Sequence, residues 1–184
     1  MKQILVVILL SALISCNKRL SENKNLNNKY FEFDKIEHYH TNLSIDSIAK
    51  SRSFPKTNKD FALSQIVEGN VPVNLNDTLF ISNTKILQFE KQEINRKLHL
   101  KISNIFTERK SQSLVALDAA SCITNFRDIL IFRKNNKIIG IVKLCFTCDQ
   151  YSIIGSKTNT TSFGERDEFK NLKEILVAPA ANSL

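Results

Sequence analysis

The spacing of apolar and polar positions divides the chain into a leader, a polar stretch and a domain. Residues 4–14 are apolar apart from Ser11, behind one positive charge at Lys2. Crossing the hydrocarbon of a membrane takes about 20 apolar residues, so this run is too short to span and has the dimensions of a secretory h-region. Residues 17–29 are Asn- and Lys-rich with almost no core-forming side chain, the composition of a flexible tether. From Tyr30 onward the apolar spacing becomes that of a folded domain, expected to occupy residues 30–184.

Within that domain Tyr30-Phe31-Glu32-Phe33 opens a strand that can run on to Tyr39. Leu43, Ile45, Ile48 and Ala49 predict a short helix or turn ended by Phe54-Pro55. Residues 60–69 carry a helix pattern, with Asp60 as N-cap, an apolar face of Phe61, Leu63, Ile66 and Val67, and Gly69 as a left-handed cap. Residues 78–81 predict a short strand. Leu98, Ile102, Ile105 and Phe106 follow helical periodicity over residues 95–108, although residues 98–102 also alternate as a strand would.

Residues 127–133 and 137–145 carry apolar side chains on both faces and flank Asn135-Asn136. Asn tolerates positive φ, so the pair forms a two-residue hairpin turn, and the two strands belong in the interior of a sheet. An unbroken register places Asp128 opposite Lys143 and Gly140 opposite Ile131. Residues 150–154 add a further strand, residues 155–161 a polar loop, and residues 165–177 an amphipathic helix with Phe169, Leu172, Ile175 and Leu176 on one face. The expected fold is a single α+β domain, an antiparallel sheet with a central hairpin packed by a few helices.

Composition narrows the class. With 184 residues, 42% hydrophobic and 24% charged, 4 Gly, 3 Pro and 4 Cys, the chain has material for a real core. Collagen-like, Pro-rich and disulfide-dense architectures are excluded. Removing residues 1–15 takes away Lys2 and lowers the net charge from +8 to +7. The excess is Lys spread along the chain, without an Arg-rich stripe or interleaved aromatic platform, so no nucleic-acid partner is expected.

The leader ends on Leu13-Ile14-Ser15-Cys16, which resembles the bacterial lipobox. The resemblance implies cleavage before Cys16, diacylglycerol on its sulfur and acylation of its new amino group. Several acyl chains anchor stably where one does not. The implied protein is an exported lipoprotein held at the membrane through Cys16, with residues 16–29 as lipidated tether. Asn17, in place of an acidic residue, leans toward the outer membrane under the sorting rule that the resemblance brings. Cys122, Phe126-Arg127-Asp128, Ile131-Phe132 and Cys145-Phe146-Thr147-Cys148 resemble a pattern in small uncharacterised bacterial lipoproteins, over residues 121–154. It implies an exported domain and no catalytic residue.

Three cysteines remain for the domain, an odd number for an oxidising compartment. Carrying the hairpin register outward puts Cys122 one step from Cys148, so Cys122–Cys148 is the favoured disulfide and Cys122–Cys145 the second. Cys145-x-x-Cys148 also fits a thiol-redox site, but a redox cysteine wants a helix N-terminus, and this motif ends a strand. A three-thiolate metal site lacks a fourth ligand. His38-x-His40 puts two imidazoles on one strand face, in a row with Glu32 and Asp34 if the strand is unbroken. No metal, cofactor or catalytic residue is assigned, because no nucleophile elbow, phosphate loop or His-Glu-x-x-His occurs. The function expected is a non-enzymatic binding or scaffolding domain in the envelope, its partner protein or ligand unidentified. The alternative is thiol-redox or metal chemistry at Cys122, Cys145 and Cys148.

Overall fold

The computed structural model describes residues 28–53, 57–69, 71–77, 79–111 and 122–177. The leader, the lipobox with Cys16 and the tether up to residue 27 lie outside the described residues. Five antiparallel strands form one sheet in the order β2-β1-β3-β4-β5. They are β1 (Lys35–His40), β2 (Glu90–Glu93), β3 (Asp128–Lys134), β4 (Lys137–Cys145) and β5 (Gln150–Ile154). Helices α1 (Ile45–Ser53), α2 (Asn58–Leu63), α3 (Leu79–Ile86), α4 (His99–Ile105) and α5 (Glu168–Leu176) complete an α+β domain.

The sheet is covered on both faces, and the alternation of β3 explains how. Leu130 and Phe132 point into a layer with Ile36, Val142 and Leu144, packed against Ile102, Ile105 and Phe106 of the α4 region and Phe169, Leu172 and Leu176 of α5. Ile129 and Ile131 point the other way, with Tyr39 and Ile141, against Ile48, Leu63, Ile66, Val67 and Phe80. Burial on both faces is the environment that a near-continuous apolar run requires.

The hairpin turns at Asn135 and Asn136, whose φ values are 50° and 64°, as a two-residue hairpin turn demands. Its register departs from expectation. Lys134 faces Lys137 and Arg133 faces Ile138, but Phe132 faces Gly140, leaving Ile139 as the extra residue of a β-bulge. From there Asp128 lies opposite Leu144 and Lys143 opposite Ile129, so the expected Asp128–Lys143 and Ile131–Gly140 pairs do not form. Directly opposed residues share a face, so the bulge sends the Asp128 carboxylate and the Lys143 ammonium to opposite sides of the sheet.

Other departures have local causes. Tyr30 and Phe31 are adjacent and both buried, but the Tyr30 backbone bonds Phe106 O and Lys157 N–H rather than a neighbouring strand, and β1 starts only at Lys35. Asn28 and Lys29 belong to the domain, since Asn28 O accepts from Glu108 N–H (2.7 Å) and Tyr30 N–H reaches Phe106 O (3.0 Å). Helix α2 is capped by Thr57, whose hydroxyl accepts from Asp60 N–H while the Asp60 carboxylate accepts from Thr57 N–H. This is a reciprocal capping box in which Asp60 is the third helical residue. The helix then widens into a π turn over Ser64–Glu68, and Gly69 leaves it extended, at φ −93° and ψ −175°. Glycine is needed there because a Cβ would crowd the Ser64 and Gln65 carbonyls.

Of the expected strand at residues 78–81, residues 79–81 open α3, with Phe80 and Thr84 buried on one helical face, and residue 78 lies outside the described residues. Residues 96–98 form a 3₁₀ turn leading into α4, and the competing strand at 98–102 is absent. The C-terminal helix begins at Glu168, three residues later than expected, with its apolar face as read.

Candidate functional site

Strand β1 runs between β2 and β3, and its register assembles a polar cluster on a largely apolar face. His40 lies opposite Asp128 on one side and Glu90 on the other, and His38 lies opposite Leu130 and Gln92. Because side chains two apart share a face, His38 and His40 project together toward Asp128. Both rings reach the same carboxylate oxygen: His38 Nε2 is 2.9 Å and His40 Nδ1 is 2.8 Å from Asp128 Oδ1.

The outer nitrogens are also engaged. Gln92 Nε2 donates to His38 Nδ1 (3.0 Å), and His40 Nε2 donates to Asn42 Oδ1 (2.9 Å). The first contact makes His38 a donor to the carboxylate through Nε2. His38 and Asp128 are buried, whereas the His40 side chain is 33% exposed. His40 opens on a cleft of about 320 Å³ bordered by Glu90, Gln92, Leu176 and Val177.

The expected row of ligands is therefore half correct in its residues. His38 and His40 do share a face, but Glu32 and Asp34 lie outside the strand. Glu32 pairs with Lys134 (3.0 Å) and Lys157 (3.2 Å), and Asp34 Oδ2 accepts from Asn135 N–H (2.7 Å). The carboxylate that joins the histidines comes from 88 residues away, on β3. His99 stands apart, with Nε2 3.3 Å from Ile94 O.

The cysteines gather at the end of the hairpin away from the turn. Cys122 and Cys148 are at disulfide distance, with Cα atoms 5.9 Å apart, inside the range that a disulfide bridges. Cys145 is buried and free. Its sulfur accepts from Asn125 N–H (3.4 Å) and lies 3.2 Å from Thr147 Oγ1. Among the described residues the three sulfurs do not form a metal-ligating group, whereas His38, His40 and Asp128 do, with donor atoms all within 4.8 Å of one another.

On the opposite face Lys143 is wholly buried. It donates to Gly69 O (2.5 Å) and Val71 O (2.9 Å), and its ammonium lies 4.4 Å from the centre of the Phe126 ring. Burial pushes it down to about 7 from an ordinary 10.5. Its two carbonyl partners tie β4 to the segment after the π turn, a structural use with no opening to solvent.

Compared with known proteins, the chain matches no family model, no curated protein and no solved structure. The functional reading therefore rests on the sequence and the geometry.

Proposed function

We propose that the protein is an exported lipoprotein, anchored in the bacterial envelope by lipid on Cys16, whose domain binds a partner or ligand without catalysing a reaction. The observation that carries the reading is the coincidence of a short h-region, Leu13-Ile14-Ser15-Cys16 and a polar tether ahead of a folded domain. A tri-acylated Cys16 holds the domain at a membrane without a spanning segment. Among the described residues, no helix is long and apolar enough to cross one.

The cleft beside His40 supplies the binding part of the proposal. It is a concavity in which a few polar groups converge beside apolar side chains, and such concave places are where ligands are held. A thiol-redox role is less well supported, because Cys148 faces Cys122 at bonding distance while Cys145 is enclosed. Counting reactive thiols with and without reductant separates the two readings. Rapid cycling between Cys145 and Cys148 favours the redox one.

The anchoring test is Cys16→Ser followed by fractionation and labelling with a radioactive fatty acid. The wild-type chain is expected to label and sediment with membranes, and the variant to do neither. A variant that is processed and membrane-bound like the wild type overturns the proposal.

A further inference from the structure

We propose that His38, His40 and Asp128 bind a divalent transition-metal ion, with Zn²⁺ the ion that the donor set fits best. The proposal deepens the binding reading above by naming what occupies the site.

The hydrogen-bond accounting of His40 carries the argument. Its Nε2–H is committed to Asn42 Oδ1. A neutral imidazole has one N–H, so Nδ1 then meets Asp128 Oδ1, at 2.8 Å, as lone pair against lone pair. That contact is attractive only with a cation at Nδ1, either a second ring proton or a metal ion. A second imidazole converges on the same oxygen, so one ion in place of the ring protons joins both rings to the carboxylate. The Asn42 contact also holds His40 in the tautomer that a ligand at Nδ1 needs, a common outer-shell arrangement of metal-binding histidines.

Geometry and donor chemistry agree. Two imidazole nitrogens and one carboxylate oxygen suit Zn²⁺ and its neighbours, whereas Ca²⁺ and Mg²⁺ prefer oxygen alone. Zinc binds such donors at about 2.0–2.2 Å, and a tetrahedral set at that radius has donors roughly 3.3 Å apart. The two contacts to Asp128 therefore open by about 0.5 Å to admit the ion. The partly exposed His40 can supply that movement, while His38 and Asp128 are held between paired strands. For His38 to bind through Nε2, its Nδ1 must carry the proton, and rotating the Gln92 amide presents an oxygen to accept it.

The cleft completes the site. Three protein ligands leave a fourth position on zinc, and His40 faces the opening that Glu90 and Gln92 border. Glu90 stands directly across from His40 on β2, beside Lys91, which also borders the cleft.

The test is calorimetric titration of the full chain in detergent, stripped with chelator and dialysed, using ZnCl₂. The expected result is one Zn²⁺ per chain, with affinity reduced about 100-fold or more in His40→Gln and in Asp128→Asn; even outer-shell changes cost about 10–100-fold. His99→Gln and Cys145→Ser are expected to bind as the wild type does. Since Asp128 is buried, His40→Gln is the deciding variant, its fold checked by circular dichroism. Co²⁺ should give visible d–d bands with the wild type and none with His40→Gln. No stoichiometric uptake overturns the proposal, as does uptake indifferent to His40→Gln. Nitrogen NMR of the Zn²⁺-saturated chain showing both His40 nitrogens protonated overturns it as well. Repeating the titration on Cys16→Ser keeps the outcome separate from anchoring: loss of membrane attachment with zinc retained sinks the lipid reading alone.

Discussion

The ring of Phe31 occupies the space that a side chain at Gly140 would fill. Gly140 is the cross-strand neighbour of Phe132, and Phe31 stacks on Phe132 with ring centres 4.4 Å apart. A Cβ at position 140 would lie well inside van der Waals contact with Phe31 Cε1 and the rest of that ring edge. The glycine therefore lets the segment ahead of β1 lay an aromatic side chain on the sheet. Gly140→Ala is expected to cost about 1–3 kcal/mol through overpacking, read from urea unfolding. In a Phe31→Ala background the same substitution should cost much less. Equal costs in the two backgrounds would refute the contact.

Lys143 imposes a pH dependence of definite sign. Its folded value of about 7 lies below the ordinary 10.5, so between those limits the unfolded chain holds the extra proton. Stability from this group therefore rises as pH climbs from about 7 to 10.5. Lys143→Met abolishes that slope while leaving Gly69 O and Val71 O without their donor. Unfolding free energies of both proteins across this range should diverge in favour of the wild type. Parallel curves would show that Lys143 keeps its proton throughout.

Glu37 behaves in the opposite sense. Burial alone would raise it, but hydrogen bonds from Lys91 (2.8 Å) and Arg133 (2.9 Å) outweigh burial and hold it below its ordinary 4.5. Its contribution is complete above 4.5 and is lost as pH falls through the lowered folded value. Glu37→Gln should thus be less stable than the wild type near neutrality, with the gap closing in acid. A gap unchanged down to pH values where carboxylates are protonated would contradict this.

The sulfur pairing can be read by chemistry. Cys122 and Cys148 are 26 residues apart in sequence, so a bond between them should stabilise by about 2–4 kcal/mol, and Cys122→Ala should lose that amount. Without reductant, the folded domain should expose no reactive thiol, and denaturation should release one, from Cys145. Three thiols on denaturation of the non-reduced domain would exclude the bond.

What the sequence revealed follows from how local each signal was. The hairpin was legible because Asn135-Asn136 and two double-sided apolar runs act over a few residues. Residues 90–93 were missed as a strand because Glu90, Lys91, Gln92 and Glu93 are all exposed; only backbone pairing with β1 makes them one. Residues 79–81 are helix rather than the expected strand because so few residues do not separate strand from helical period, and Phe80 with Thr84 settles the matter only over a longer window. The histidine pair was visible, but its carboxylate partner was not. Asp128 reaches His40 only through the β1–β3 register, which no local pattern encodes, and the unbroken hairpin register had paired that aspartate with Lys143.

The extra residue at Ile139 sets the phase of everything beyond it. Ile139 has no partner on β3, so deleting it would straighten β4 and leave Phe132 opposite Gly140 and Asp128 opposite Leu144. What the bulge prevents is a register in which Ile139 itself takes the place opposite Phe132. That slide of one residue would bring Lys143 opposite Asp128 and turn both to one face of the sheet, where a direct ion pair would compete with the two imidazoles for the carboxylate. The polar cluster thus depends on one residue being left out of the pairing, with His38, His40 and Asp128 themselves the same in either phase.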